Sequence, residues 1–410
     1  MSAVLLVNHW HDDNKGDSAI TLATLDMLAP PGAGTAVVAS LLPGDDPAFA
    51  RAFRHVTAAR PDVVVRPSLV PSIGSKDGVG TAATWVLGWI PLLLGMLIGH
   101  VPGRIRSVLS GADRVVLIGG SNIFDSGKRR PLGTLRLLQL LYPLWAADRL
   151  GRPVDLVGHT IGPFGTGASR ALVRRLLPRA RSIVLREEYS MELLRELVPQ
   201  AVPQARVEPD TAFAIRQPTA DQVDAVTARY GLAPQRFLVL VPRQHPYHAD
   251  AETDRVVDEL AAGASAALAE GSIDRVVVLS QCLGPSVIED DRPVARRLAD
   301  AIPGSLLVEE DLTVVDLVAF FAAARAVVSV RLHGAILAMS AGTPVHAIAY
   351  FTTKTAGVLA QCGMADRWSE FETFSAVDVA RLLQDVDPAD VVAVAARERR
   401  RLTDWAGTAR

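Results

Sequence analysis

Short runs of β-branched and aliphatic residues recur along the whole chain, each followed by a longer amphipathic stretch. Residues 3–8, 35–40, 62–67, 114–120, 154–158 and 182–187 supply such runs in the first half, and 237–242, 275–280, 305–309, 326–330 and 345–350 supply them in the second. The runs are apolar at successive positions rather than at alternate ones. This is the pattern of parallel strands covered by helices on both faces. Helical periodicity fills the intervals, for example in residues 17–28 and 313–324. Strand–helix alternation on this scale predicts doubly wound α/β units.

The chain has 410 residues, which suits two cores rather than one. The series pauses at 214–234, and a fresh strand is expected at Phe237. The division is therefore set between residues 217 and 218, giving an N-terminal Rossmann-like domain (1–217) and a C-terminal one (218–410) that ends in helices. Two such domains would face each other across a cleft, with ligands at the carboxyl ends of the strands. A formal net charge of −2 provides no global field for nucleic acid. The only cysteines, Cys282 and Cys362, support neither a disulfide framework nor a cysteine-rich zinc site. A reducing cytoplasm fits. The start, MSAVLLVNHWHDD, reads as a first strand rather than a signal peptide.

One segment departs from this pattern. Residues 82–106 are apolar for nearly the length of a bilayer span, interrupted by Pro91 and closed by Arg104 and Arg106. They read as a helix pair, either buried against the first domain or a partner, or lying on the inner face of a membrane. The leucine-rich stretch 128–150, basic at its start, could share that surface.

The residues after the strands carry the functional reading. After the first strand, Asn14, Gly16 and Asp17 form a tight loop, with Asp17 as N-cap of a helix starting near Ser18. This is either a capped turn or a site for an anion or a sugar hydroxyl. His9 and His11 stand nearby without the carboxylate geometry of a metal site. Gly119 and Gly120 permit close backbone approach, at a site or in simple chain packing. Gly162-Pro163 forces a turn, and His159 before it reads as a loop histidine. Arg186 is either a cleft-facing clamp for carboxylate or phosphate, or the partner of Glu187 or Glu188. Asp210 would brace the hinge. Arg243 follows a strand of the second domain.

The stretch 326–350 is the most informative. A buried strand ends at Ser329 or Val330, Arg331 and His333 follow, and Gly334 opens a helix of small residues. A cation and an imidazole at a helix N-terminus suit binding of a dianion and donation of a proton; the alternative is an arginine and a histidine satisfied by neighbouring carboxylates. Lys354, past Tyr350, is either a further cation or a solvated surface residue.

Taken in order, Asn14-x-Gly16-Asp17-x-Ala19-Ile20, the glycine pair, Ile161-Gly162-Pro163, Arg186-Glu187, Pro209-Asp210, Arg331-Leu332-His333-Gly334 and the later tyrosine–lysine segment resemble the polysaccharide pyruvyl transferases. The resemblance implies a GT-B-like fold, with phosphoenolpyruvate as co-substrate on the second domain and the acceptor on the first. It implies His333 as acid or base, and Arg331 as donor clamp together with Arg186 or Arg243. No metal or other cofactor is expected. The acceptor would be a sugar, free, nucleotide-linked or lipid-linked, and the apolar insert would mark a lipid-linked one. The competing readings are a nucleotide-sugar glycosyltransferase, for which the loop Gln281–Ser286 could cradle phosphates, and a non-catalytic membrane-peripheral partner. Nothing in the pattern fixes the oligomeric state.

Overall fold

The computed structural model describes residues 2–75, 79–128, 132–245, 250–350, 352–385 and 387–409. The chain divides into two compact units. The first holds residues 1–12, 20–211 and 405–410, and the second holds 13–19 and 212–404. The division thus falls at Thr211/Ala212, earlier than the 217/218 expected. The 3₁₀ turn Thr211–Ala214 and Ile215 already bury Ala212, Phe213 and Ile215. Residues 405–410, which the sequence reading gave to the second domain, group with the first.

Among the described residues, the first unit is built on seven parallel strands: β1 (Ser2–His9), β2 (Gly34–Ser40), β3 (Val64–Arg66), β4 (Arg114–Asp125), β5 (Val154–Phe164), β6 (Ser182–Leu185) and β7 (Ala205–Val207). Their order is β3-β2-β1-β4-β5-β6-β7. Its helices are α1 (Lys15–Leu28), whose first turn belongs to the second unit, α2 (Arg54–Ala59), α3 (Val79–Ile98), α4 (Gly103–Ser110), α5 (Leu132–Arg149), α6 (Gly167–Leu176) and α7 (Glu188–Leu197). Its core joins Leu117 and Leu156 of the central strands to Trp89, Leu141 and Tyr142 of the covering helices. Each such side chain, fully buried, contributes about 1.5–3 kcal/mol.

The apolar insert forms α3 and α4. Pro91 does not break α3. The proline removes one N–H from the helix, while Trp85, Trp89 and Leu92 anchor the turns around it. The Trp85 indole N–H donates to the Pro71 carbonyl at 3.1 Å, and Trp89 packs edge-on against Tyr142.

The second unit carries six parallel strands among the described residues: β8 (Phe237–Val241), β9 (Arg275–Leu279), β10 (Leu306–Val308), β11 (Ala326–Ser329), β12 (Val345–Ala349) and β13 (Trp368–Glu370). They are ordered β10-β9-β8-β11-β12-β13. Its helices are α8 (Ala220–Tyr230), α9 (Asp250–Ala269), α10 (Arg292–Asp300), α11 (Val314–Ala323), α12 (Leu332–Ser340), α13 (Thr352–Gln361), α14 (Ala376–Asp385) and most of α15 (Pro388–Ala409). Strands β8 and β11 are buried throughout, as the unbroken apolar runs require. The chain winds outward from β8 in one direction, then returns beside β8 at β11 and winds the other way. That reversal between β8 and β11 is a topological switch point, where open α/β sheets place their ligands.

Candidate functional site

Register brings the critical residues of the second unit to one edge. Ser329 of β11 lies opposite Val241 of β8 on one side and Ala347 of β12 on the other. Arg243 and Arg331 therefore each stand two residues beyond the same row, and Tyr350 stands three beyond it. The Arg243 guanidinium sits over the Tyr350 ring, 4.4 Å from its centroid, and its Nη1 donates to the Tyr350 hydroxyl. The Arg243 Nε is buried without a hydrogen-bond partner among the described residues.

Arg331 is the N-cap residue of α12, which starts at Leu332, two residues before the glycine expected to open it. Its guanidinium is buried and already paired. Nε donates to both Asp291 carboxylate oxygens at 3.0–3.1 Å, while Nη2 donates to Asp291 at 2.5 Å and to the Glu289 carbonyl at 2.7 Å. Its Nη1 makes no hydrogen bond among the described residues. Burial works against this cation, but the Asp291 carboxylate outweighs it and holds the guanidinium above its ordinary value. Asp291 is itself fixed by the chain: its Oδ2 accepts from the Cys282 N–H, and its own N–H donates to the Cys282 carbonyl. Nothing in the sequence marked Asp291. It ends the acidic run 289–291 just before Arg292-Pro293 at the start of α10, and such a run reads as a solvated helix start.

His333 lies in the first turn of α12, and its ring occupies the space beside Gly16. A Cβ on Gly16 would stand 2.6 Å from the His333 Cγ, far inside contact distance. Glycine at position 16 is thus required by the imidazole. The turn that carries Gly16 is capped by Asn14, whose Oδ1 accepts from the Gly16 N–H at 3.1 Å. Asn14, not Asp17, is therefore the N-cap: helix α1 begins at Lys15, three residues earlier than expected, and Asp17 falls within its first turn. There a carboxylate complements the helix dipole. Lys15 is buried and its Nζ donates to Asp311 at 2.5 Å. The loop Gln281–Ser286 is tied to the same segment, since Asn14 bridges to Cys282 and the Leu283 N–H donates to the Asp13 carbonyl at 3.0 Å. Gly334 sits where a Cβ would meet the Gln281 Oε1 at 2.6 Å. Lys354 is half-buried in the first turn of α13.

The structure thus brings Asn14, Gly16, Asp17, Arg243, Arg331, His333, Gly334 and Lys354, with the loop Gln281–Ser286, into the second unit, those at strand ends on the switch-point side. The other residues singled out from the sequence belong to the first unit. Arg186 is fully buried, its Nε donating to Thr160 at 2.8 Å and its Nη1 to Asp210 at 2.6 Å, with Glu187 at 3.7 Å. Glu187 accepts from Thr160 and Ser190, and burial pushes its carboxyl above the usual range. These groups satisfy one another inside the unit, so the geometry is that of an internal ion-pair network. Gly119 does not end a strand, because β4 runs on to Asp125. A Cβ on Gly119 would come within 2.5 Å of the Val157 carbonyl of β5, so the tight neighbour is a strand. Gly120 follows within β4, and Gly162 lies inside β5. His159 is also in β5 rather than a loop. It is buried, its Nε2 pairs with the Leu117 carbonyl at 3.0 Å, and burial lowers its pKa to about 4. The ring nitrogens of His9 pair with Thr21 and the Ala52 carbonyl, and the Nε2 of His11 pairs with the Ala48 carbonyl.

Residues 14–351 match the family model for polysaccharide pyruvyl transferase. The chain belongs to that family. It is 29% identical over 274 residues to the amylovoran biosynthesis protein AmsJ of Erwinia amylovora, a match covering 64% of this chain and 62% of AmsJ. Among solved structures, it resembles Anabaena HepE in complex with UDP and glucose (TM-score 0.55, 13% identity, 100% of this chain and 99% of HepE). It also resembles Staphylococcus aureus MnaA with UDP (TM-score 0.54, 14% identity, 98% and 91% covered) and a glycosyltransferase of Rickettsia africae (TM-score 0.53, 10% identity, 98% and 93% covered). At these identities the likeness is one of fold: two parallel-sheet α/β domains of GT-B type, as the strand pattern predicted.

Proposed function

We propose that this family member transfers pyruvate from phosphoenolpyruvate to two hydroxyls of one sugar, forming a cyclic ketal and releasing phosphate in the making of a polysaccharide. The observation that carries this reading is the pair Arg243 and Arg331, two residues past one register row at the switch point, with His333 in the adjoining helix turn. Phosphoenolpyruvate brings a carboxylate and a phosphate, so its site needs more than one cation. Arg243 offers a buried Nε, and Arg331, braced along its other edge by Asp291, offers Nη1. This favours Arg243 over Arg186 as the second clamp.

In the proposed reaction His333 gives a proton to the methylene carbon of the donor, the C=C electrons form the new C–H bond, and C2 gains oxocarbenium character. A sugar hydroxyl oxygen bonds to C2 and loses its proton to the imidazole. A second hydroxyl of the same sugar then bonds to C2 as the C2–O bond to phosphate breaks; the electron pair leaves with phosphate, which takes up the proton of that second hydroxyl and departs as hydrogen phosphate. A positioned acid of this kind contributes roughly 10²–10⁴-fold, and the guanidinium groups stabilise charge on the departing phosphate. The reaction as written needs no redox partner.

The test is phosphate release from phosphoenolpyruvate across a panel of free, nucleotide-linked and lipid-linked sugars, with mass spectrometry for the added pyruvyl group. Turnover of UDP-sugars in place of phosphoenolpyruvate would overturn the proposal in favour of glycosyl transfer.

A further inference from the structure

Helix α3 has no polar face. Its buried stripe is Trp85, Trp89 and Leu92, and the opposite side is equally apolar: Leu87, Ile90, Leu93, Leu94, Leu97 and Ile98 are all exposed. Leu97 and Ile98, at the end of the helix, are 84% and 80% exposed. A helix that is apolar all round is ordinarily buried all round, and a contiguous exposed patch of this kind marks an interaction surface. The eighteen residues Thr81–Ile98 are long and apolar enough to cross a membrane, with mean hydropathy 1.8. One stripe of that helix is, however, committed to the core of the first unit.

Charge decides what covers the other face. Residues 79–112 contain no aspartate or glutamate. Six and eight residues after Ile98 come the exposed Arg104 and Arg106 of α4, and Arg149 at the end of α5 reaches the Gly99 carbonyl. Arg152 reaches the Ser110 carbonyl at 2.8 Å. The most exposed apolar tip of α3 is thus followed by arginines. A cavity of about 540 Å³ beside α4, floored by Leu5, Val37, Leu69 and Ile105, has Arg66 and Arg104 among its lining residues. A second copy of the chain docked through the same face by a two-fold axis would set these arginines against their own counterparts, with no carboxylate in the segment to receive them. An anionic bilayer satisfies both halves of the surface at once: acyl chains take the leucines and lipid phosphates take the guanidinium groups.

We propose that α3 lies in the plane of an anionic membrane surface, inserting the Leu97–Ile98 end, with Arg104, Arg106 and Arg149 on the headgroups. This surface is independent of the transfer chemistry. The test is flotation of the full chain with vesicles of phosphatidylcholine alone or phosphatidylcholine with phosphatidylglycerol. The protein is expected to float with the mixed vesicles and much less with the neutral ones. The double variant Leu97→Glu/Ile98→Glu should fall to background. Arg104→Gln/Arg106→Gln should bind roughly fivefold more weakly per arginine removed. Both pairs are exposed, so circular dichroism and the melting temperature should stay as in the parent chain. The proposal is overturned if the parent chain does not float with the mixed vesicles, or if both variants float as well as the parent. Light scattering showing a dimer that the Leu97/Ile98 variant loses, without flotation of the parent, would instead assign the face to a second copy.

Discussion

The imidazole of His333 lies against Gly16, in space that any larger residue at position 16 would fill. Replacing Gly16 by alanine should therefore push the ring out of place while leaving the rest of α1 intact. Misplacing a reacting group by about 1 Å can cost on the order of 10²-fold in rate. Gly16→Ala is expected to lower turnover by about that factor, with donor affinity by calorimetry nearly unchanged. His333→Ala should abolish turnover and also retain donor binding. Equal activity in either variant would remove His333 from the chemistry.

Arg331 and Asp291 form a buried pair, and the consequences of breaking it differ from those of removing it. Arg331→Ala leaves a carboxylate buried without its partner, a change that typically costs about 3–5 kcal/mol. A large fall in melting temperature is expected, together with loss of donor binding. The double variant Arg331→Met/Asp291→Leu removes both charges and should recover much of the stability, yet it should still bind no phosphoenolpyruvate. Recovered donor binding in that double variant would show that Arg331 is structural only.

Arg243 and Tyr350 are coupled through both a hydrogen bond and a ring contact. Arg243→Lys keeps a positive charge but loses the planar fork and the stacking. The expected result is a rise in KM for phosphoenolpyruvate of roughly tenfold or more, a loss of about 1.4 kcal/mol or more. Tyr350→Phe should give a smaller rise. Isothermal titration with the donor alone checks both. By contrast, Arg186→Met should lower the melting temperature without altering donor affinity in the folded protein.

His159 supplies a pH dependence of stability. Burial lowers its folded-state pKa to about 4, against an ordinary 6.5. Between those values the unfolded chain takes up a proton that the folded chain refuses, so stability falls as pH drops from about 6.5 towards 4 and levels off below that. The full swing is on the order of 3 kcal/mol. His159→Gln, which can still donate to the Leu117 carbonyl, should flatten the fall in melting temperature between pH 7 and pH 5. An unchanged pH profile in that variant would assign the acid sensitivity elsewhere.

The core of the fold was legible because strands buried on both faces cannot hide: the runs at 237–242 and 326–330 are apolar at nearly every position. The strands that escaped, β7 and β13, are three-residue edge strands with sequences Ala-Arg-Val and Trp-Ser-Glu. Too short to alternate and only partly buried, they look like loops. The helix start at Asn14 was missed because Asp17 is an equally good capping residue on paper. Only the path of the chain shows which side chain meets an N–H. Gly119 read as a strand end, whereas the closeness of β5 is what demands a glycine there. Arg331 and His333 were visible from their place after a buried strand. The partner that fixes Arg331 was not, since an ion pair across forty residues leaves no local pattern.

Because Gly16 and His333 are more than 300 residues apart in the chain, the segment around Gly16 leaves the ribosome long before its companion exists. At ordinary elongation rates of about 5–20 residues per second the gap is roughly 15–60 s. During that time the turn from Asn14 to Asp17 lacks its His333 contact, and its other partners, Cys282 and Asp311, also lie more than 250 residues downstream. Nascent chains of this protein should therefore depend on holding chaperones late in synthesis, and proteolysis of stalled chains should cut near residues 13–19 until the stretch containing Arg331 has emerged.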